Sequence, residues 1–218
     1  MEGVRAIVNI ATGGNYLIGQ KRLNQTLLNL NERSEFIFWS GALPPDSPSH
    51  EMVPYGFKVA AMSEAVRLGV DTMMWMDSSI MPLADLTPLW ELIERQGYWM
   101  SANYDLMTGP FCSDQAARLV GLTREQLNHI PHVIASAFGL TRDFALEFLF
   151  HWAGMGLKGV FDESGSSDPS FIAHRHDQTA ASIIAWRLRM NLTQPPMWIA
   201  EGGQEGEGTL LSIQRIKG

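Results

Sequence analysis

Apolar positions in this chain follow two rhythms that take turns. Short unbroken apolar runs, bounded by Gly, Pro, Asn or Ser, alternate with longer segments whose apolar residues return every third or fourth place. The first rhythm belongs to strands buried on both faces, the second to amphipathic helices. Val4–Ile10, Glu35–Trp39, Asp71–Ile80, Tyr98–Ala102 and Val133–Gly139 read as strands. Gln20–Leu30, Lys58–Leu68, the segment from Thr87-Pro88 to Gln96, Arg142–Ala153 and Asp177–Leu188 read as helices. Gly69 and Gly97 are natural stops for two of them. Thr87 with Pro88 reads as an N-cap plus first-turn proline, and Thr141 is placed to cap the helix that follows it. Thr123-x-x-Gln126 is a capping-box pattern.

Strands alternating with helices at this spacing predict an α/β fold, a Rossmann-type, mostly parallel sheet flanked by helices. No linker or repeat divides the sequence, so a single domain over 1–218 is expected, with the Gly-rich stretch 202–218 as a mobile tail or flap.

Composition narrows the function classes. At 218 residues and 45% hydrophobic, the chain can build a full core. Its formal charge of −7 argues against broad wrapping of nucleic acid or an anionic membrane, while leaving room for a local phosphate pocket. Cys112 is the only cysteine, which rules out an internal disulfide framework and a cysteine-based zinc cluster. Residues 1–10 lack the features of a secretory signal, and no run approaches a bilayer span, so a cytoplasmic protein without a membrane span is expected.

Three segments and two single residues could carry chemistry. Asp71–Ile80, reading DTMMWMDSSI, is an apolar run that ends at Asp77. Ligands of open α/β sheets bind at the carboxyl ends of strands, so Asp77 is either a loop aspartate or the anchor of a site. The loop Thr12-Gly13-Gly14-Asn15-Tyr16 pairs glycines, which let backbone N–H groups approach a ligand, with an aromatic ring able to stack on a base. It matches neither a dinucleotide fingerprint nor a Walker loop. His174-Arg175-His176-Asp177-Gln178 gathers two imidazoles, a guanidinium and a carboxylate before a helix, where Asp177 could equally be an ordinary N-cap. Lys58 opens a helix and is either an anion contact or a solvated lysine. Asp114, after Ser113, is an N-cap or a carboxylate facing the cleft. His151 reads as a packed core histidine, Met73, Met74 and Met76 as core filling, and Cys112 as inert.

In order and spacing, Pro54-Tyr55-Gly56-Phe57-Lys58, a helix, Gly69 and Trp75-Met76-Asp77-Ser78-Ser79-Ile80 resemble GT-A type glycosyltransferases of bacteria and phages. Gly121–Glu125, Ser136–Leu140 and His174–Gln178 extend the resemblance over roughly residues 5 to 190. The resemblance implies a GT-A fold and a nucleotide-sugar donor, foremost a UDP-sugar, whose sugar passes to a hydroxyl acceptor. It implies nucleotide contacts at Thr12, Gly13 and Tyr16, phosphate or donor contacts at Lys58, Ser79 and Arg175, and acceptor-facing carboxylates at Asp177 and Asp114. The family's manganese or magnesium ion would sit on Asp77 with His176, although Ser79 replaces the second aspartate of the Asp-x-Asp motif. The acceptor would be a glycan, a small molecule or a hydroxylated base in DNA. A non-catalytic nucleotide-sugar-binding domain is the alternative that the missing aspartate favours.

Overall fold

The computed structural model describes residues 3–215. The main sheet is built from β1 (Arg5–Ala11), β2 (Glu35–Ser40), β3 (Thr72–Met76), β5 (Tyr98–Met107) and β6 (Pro131–Thr141), in the order β2-β1-β3-β6-β5. β1 pairs in parallel with β2 and β3, whereas β6 runs antiparallel to both β3 and β5. Four of the five strands therefore share one direction, as the alternating pattern predicts.

Helices cover both faces. On β1, Ala6, Val8 and Ile10 face a core shared with α2 (Gly56–Arg67), α6 (Arg142–Leu157) and α7 (His176–Arg187). Ile7 faces the opposite core, with Leu23 and Leu27 of α1 (Gly14–Asn29) and Leu89, Trp90 and Ile93 of α3 (Thr87–Gln96). The period-two alternation repeats on β3, where Met73 and Trp75 join the first core and Met74 and Met76 the second. Continued one step past the strand, the same parity aims Asp77 at the α2–α7 side. Short helices α4 (Asp114–Val120) and α5 (Arg124–Leu127) complete the first face. The Thr123–Gln126 capping box forms as expected.

Several local expectations change. The helix expected from Gln20 already starts at Gly14, so only Thr12 and Gly13 remain as a loop after β1, and Asn15 and Tyr16 belong to the first helical turn. Thr87 is not the cap of α3; Asp85 accepts hydrogen bonds from the Thr87 N–H at 3.0 Å and its hydroxyl at 2.9 Å. Thr141 stands at the N-cap of α6 but spends its hydroxyl on Gly97 O. His151 is exposed on α6 rather than packed in the core, because the buried stripe there is Phe148 and Trp152.

The Gly-rich stretch is not a loose tail within the described residues. β7 (Trp198–Glu201) and β8 (Thr209–Ile213) join β4 (Ile80–Pro82) in a second sheet ordered β4-β8-β7. The glycines occupy the return between β7 and β8, while Leu211 and Ile213 complete the second core. Residues 216–218 of that stretch lie outside the described residues. Among the described residues, no helix is long and apolar enough to cross a membrane.

The second sheet is fastened to α1 at the segment that follows Asp77. Arg22 donates to Ser79 O at 3.1 Å and to Gln214 O at 2.8 Å. One turn earlier, Gly19 passes so close to this segment that a Cβ there would lie 2.2 Å from Ser78 O. Gly19→Ala should therefore push α1 off the Ser78–Ser79 turn and lower stability by about 1–3 kcal/mol, as overpacking typically does. Equilibrium denaturation checks this; an unchanged midpoint would show that the turn yields freely.

Candidate functional site

The chain runs from β1 to β2 on one side and later returns to β3 on the other, so the strand order reverses between β1 and β3. Crevices of open α/β sheets lie at the carboxyl ends of strands at such a reversal. A cavity of about 1070 Å³ opens there.

Its floor is a buried charge cluster assembled from separate segments. Lys58, in the first turn of α2, is 4% exposed. Its ammonium lies 3.0 Å from Asp177 Oδ2 and 3.3 Å from Asp77 Oδ1, and donates to Ala135 O of β6 at 3.1 Å. The rings of Tyr55 and Trp75 flank it, each centroid 5.6 Å away. Asp77 is held by strand geometry: its N–H donates to Ser136 O at 2.7 Å, and the Trp75 indole, two residues earlier on the same face, donates to Oδ1 at 2.7 Å. Asp177 stands in the first turn of α7, 4% exposed, and its contact with Lys58 is an ion pair without hydrogen-bond alignment.

The charges shape one another. Burial works to lower the Lys58 pKa, but Asp177 and then Asp77 more than reverse it, so the ammonium stays protonated. Burial raises the Asp77 pKa, and Lys58 and the Trp75 N–H offset only part of that rise. Asp77 is nevertheless the open member of the cluster, with 31% of its side chain exposed to the cavity against 6% for Asp177.

The walls collect most of the expected residues. Thr12, Asn15 and Tyr16 come from the β1–α1 junction, Ser79 from the turn after Asp77, and Arg175 and His176 from the start of α7. Gly13 is the N-cap of α1 and lies beside this wall rather than in it. Arg175 is exposed, stands 5.7 Å from the Phe111 ring, and has no ion-pair partner among the described residues.

Asp114 does not line the cavity. It accepts from Arg124 at 2.9 Å, from the Ser166 hydroxyl at 2.5 Å and from the Ser167 N–H at 2.7 Å, which ties the 164–168 loop to α4. Those bonds, Ser166 first, hold its pKa below the usual carboxylate range. Ser113, not Asp114, caps α4. Cys112 is buried, its thiol pushed up to about 11 by burial, and is no nucleophile at neutral pH.

His132 and Arg215, which also line the cavity, are not singled out by the sequence, and Tyr55 and Trp75 appear in its motifs without a role. The period-two rule could have found Trp75, since an indole two residues before a strand-end aspartate shares its face. His132 and Arg215 carry no such signal, because only tertiary packing brings them here.

No protein-family model matches this chain, and no curated protein matches it. What the cavity can do follows from its charges and shape.

The donor set does not suit the divalent cation expected on Asp77 and His176. His176 Nδ1 lies 2.8 Å from Phe161 O and Nε2 lies 3.1 Å from Glu163 Oε2, so both ring nitrogens already face oxygens of the protein. A dication on Asp77 would also face the Lys58 ammonium at close range. Among the described residues, no group of three or more His, Cys, Asp or Glu is arranged to hold a metal.

The Asp77 environment makes a pH-dependent prediction. Its folded pKa lies above the unfolded value, so its share of stability is present below the ordinary carboxylate range and is lost as pH rises through the raised pKa. The Asp77→Asn variant loses this titration. Relative to the parent protein, it should gain stability as pH rises from about 4 to 7. Melting curves across that range test this; a relative loss would mean that the fold favours the ionised carboxylate.

Proposed function

We propose that the protein is a glycosyltransferase that moves a sugar from a nucleoside diphosphate, foremost UDP, to a hydroxyl acceptor, and that its own cations take the place of a metal ion. The observation that carries this reading is the Lys58–Asp77–Asp177 cluster on the floor of a large cavity at the β1–β3 reversal. The volume suits a ligand of nucleotide-sugar size.

Each part answers a need of the chemistry. Sugar transfer passes through an oxocarbenium-like state while negative charge grows on the departing diphosphate. Fixed positive charge at those oxygens lowers the barrier. The start of α1 offers it: Gly13 supplies no side-chain cap, the first turn holds no acidic residue, and Thr12, Asn15 and Tyr16 line the cavity. The guanidinium groups of Arg175 and Arg215 border the same space. Tyr16, 65% exposed at the cavity, offers a ring for the nucleobase. Asp77 is the carboxylate open enough to accept a hydroxyl from donor or acceptor. Asp177, sealed beneath, fixes Lys58 and through it the Asp77 carboxylate.

Thermal shift against nucleoside diphosphates and nucleotide sugars, with and without manganese, tests the reading, since a ligand of the folded state raises the melting temperature. One base should stand out, and manganese should add nothing to its shift. Asp77→Ala should keep the fold and abolish transfer. A flat panel at millimolar ligand would overturn the transferase reading, and a shift that requires manganese would overturn its metal independence.

A further inference from the structure

His132, near the start of β6, is 1% exposed and lines the cavity, yet its Nε2 has no hydrogen-bond partner among the described residues. The network fixes what that atom offers. Ser182 Oγ donates to Gln178 O at 2.8 Å and accepts from the Val133 N–H at 3.1 Å. With that proton on Gln178 O, the shorter of its two contacts, the 3.3 Å contact with His132 Nδ1 is made by an N–H on Nδ1. Nε2 is then a bare acceptor. Burial, with the Arg175 charge adding to it, pushes the His132 pKa down to about 3, so the ring stays neutral. A buried acceptor without a donor is costly. A ligand that brings an O–H removes that cost.

Phe111 joins this acceptor to a cation. Its ring stacks on His132 with centroids 4.7 Å apart at 20°, and the Arg175 guanidinium lies 5.7 Å from the same ring. An acceptor for a hydroxyl, an apolar ring face and an unpaired guanidinium therefore share one wall.

We propose that His132, Phe111 and Arg175 form the subsite for the sugar-phosphate half of the donor, with a sugar hydroxyl donating to His132 Nε2 and the adjoining phosphate on Arg175. This deepens the transferase reading and rests on it for the identity of the ligand. It places the nucleoside toward Tyr16 and the sugar toward Phe111. It also makes His132 a specificity residue: a sugar lacking that hydroxyl leaves Nε2 unpaired and is rejected.

Calorimetric titration of the full chain with glucose 1-phosphate, galactose 1-phosphate and inorganic phosphate tests the subsite without a nucleotide. At least one sugar phosphate should bind about tenfold more tightly than inorganic phosphate, the worth of one well-placed hydrogen bond. His132→Phe should erase that preference, and His132→Gln, which keeps an acceptor, should restore part of it. Arg175→Gln, on an exposed side chain that the core does not need, should weaken sugar phosphate and phosphate alike. Equal binding of sugar phosphate and phosphate by the parent protein, or a preference that survives His132→Phe, would overturn the proposal. So would a His132→Phe variant that fails to fold while Arg175→Gln binds like the parent. Sugar-phosphate binding beside a flat nucleotide panel would keep the subsite and discard the transferase reading. Nucleotide binding with no His132 effect would do the reverse.

Discussion

The buried ammonium of Lys58 is the constraint around which this end of the molecule is arranged. It brings together the start of α2, the end of β3, a carbonyl of β6 and the first turn of α7. Stripping a buried charge of all its counter-ions costs about 3–5 kcal/mol, because the charge left behind then has neither water nor a partner. Each of those segments must therefore arrive in the right register. β3 does so through side-chain parity: Met73 and Trp75 fill the core below, Asp77 emerges on the same face, and the Trp75 indole holds it. A one-residue slip would turn Asp77 toward α1 and leave Lys58 without it.

Some unfavourable features border the same cavity, beside others elsewhere in the fold. Asp77 carries a raised pKa, His132 an unpartnered nitrogen, and Tyr55 and His176 adopt left-handed backbone angles of 61° and 35°. Strain and unsatisfied groups persist where the surrounding structure over-determines them. Here two packed faces do so. Away from the cavity the polar groups serve the fold: Asp114 is consumed by Arg124 and two serines, and Asn9 and Gln20 bond each other between β1 and α1. A carboxylate that accepts four hydrogen bonds, the fourth from the Ser167 hydroxyl at 2.8 Å, has nothing left for a substrate, and that separates Asp114 from Asp77.

The sequence was most legible where periodicity is strong and least where function sits. The runs around Ile7 and Met74 announced buried parallel strands because both faces are covered, and Gly69 and Gly97 marked helix ends that do require positive φ. β8 was hidden because glycines flank a strand of only five residues, which made the region look like a tail. The early start of α1 was hidden because Gly13-Gly14-Asn15 has poor helix propensity, and tertiary contacts hold it in place. Asp77, Lys58 and Asp177 stood out by position, but their mutual contact did not. The span from Lys58 to Asp177 is a matter of topology, and a buried lysine cannot be told from a solvated one by its neighbours in sequence.

That same lysine decides where a phosphate can go. With two carboxylates against it, Lys58 has no positive charge to spare, and its cluster carries a net negative charge. An anionic ligand is therefore turned away from the floor and toward the rim. There the uncapped N–H groups that open the 16-residue helix α1 stand on one side, and Arg175 and Arg215 border the rest. A helix start carries roughly half a positive charge and the Arg175 guanidinium adds a whole one, while Arg215 shares its charge with Glu201 at 3.7 Å. The division is useful chemically. Cations at the rim favour the departing diphosphate, while Asp77 below it can receive a hydroxyl without competing for the phosphate. A metal ion on Asp77 would merge those two roles at one carboxylate; the buried ammonium keeps them apart.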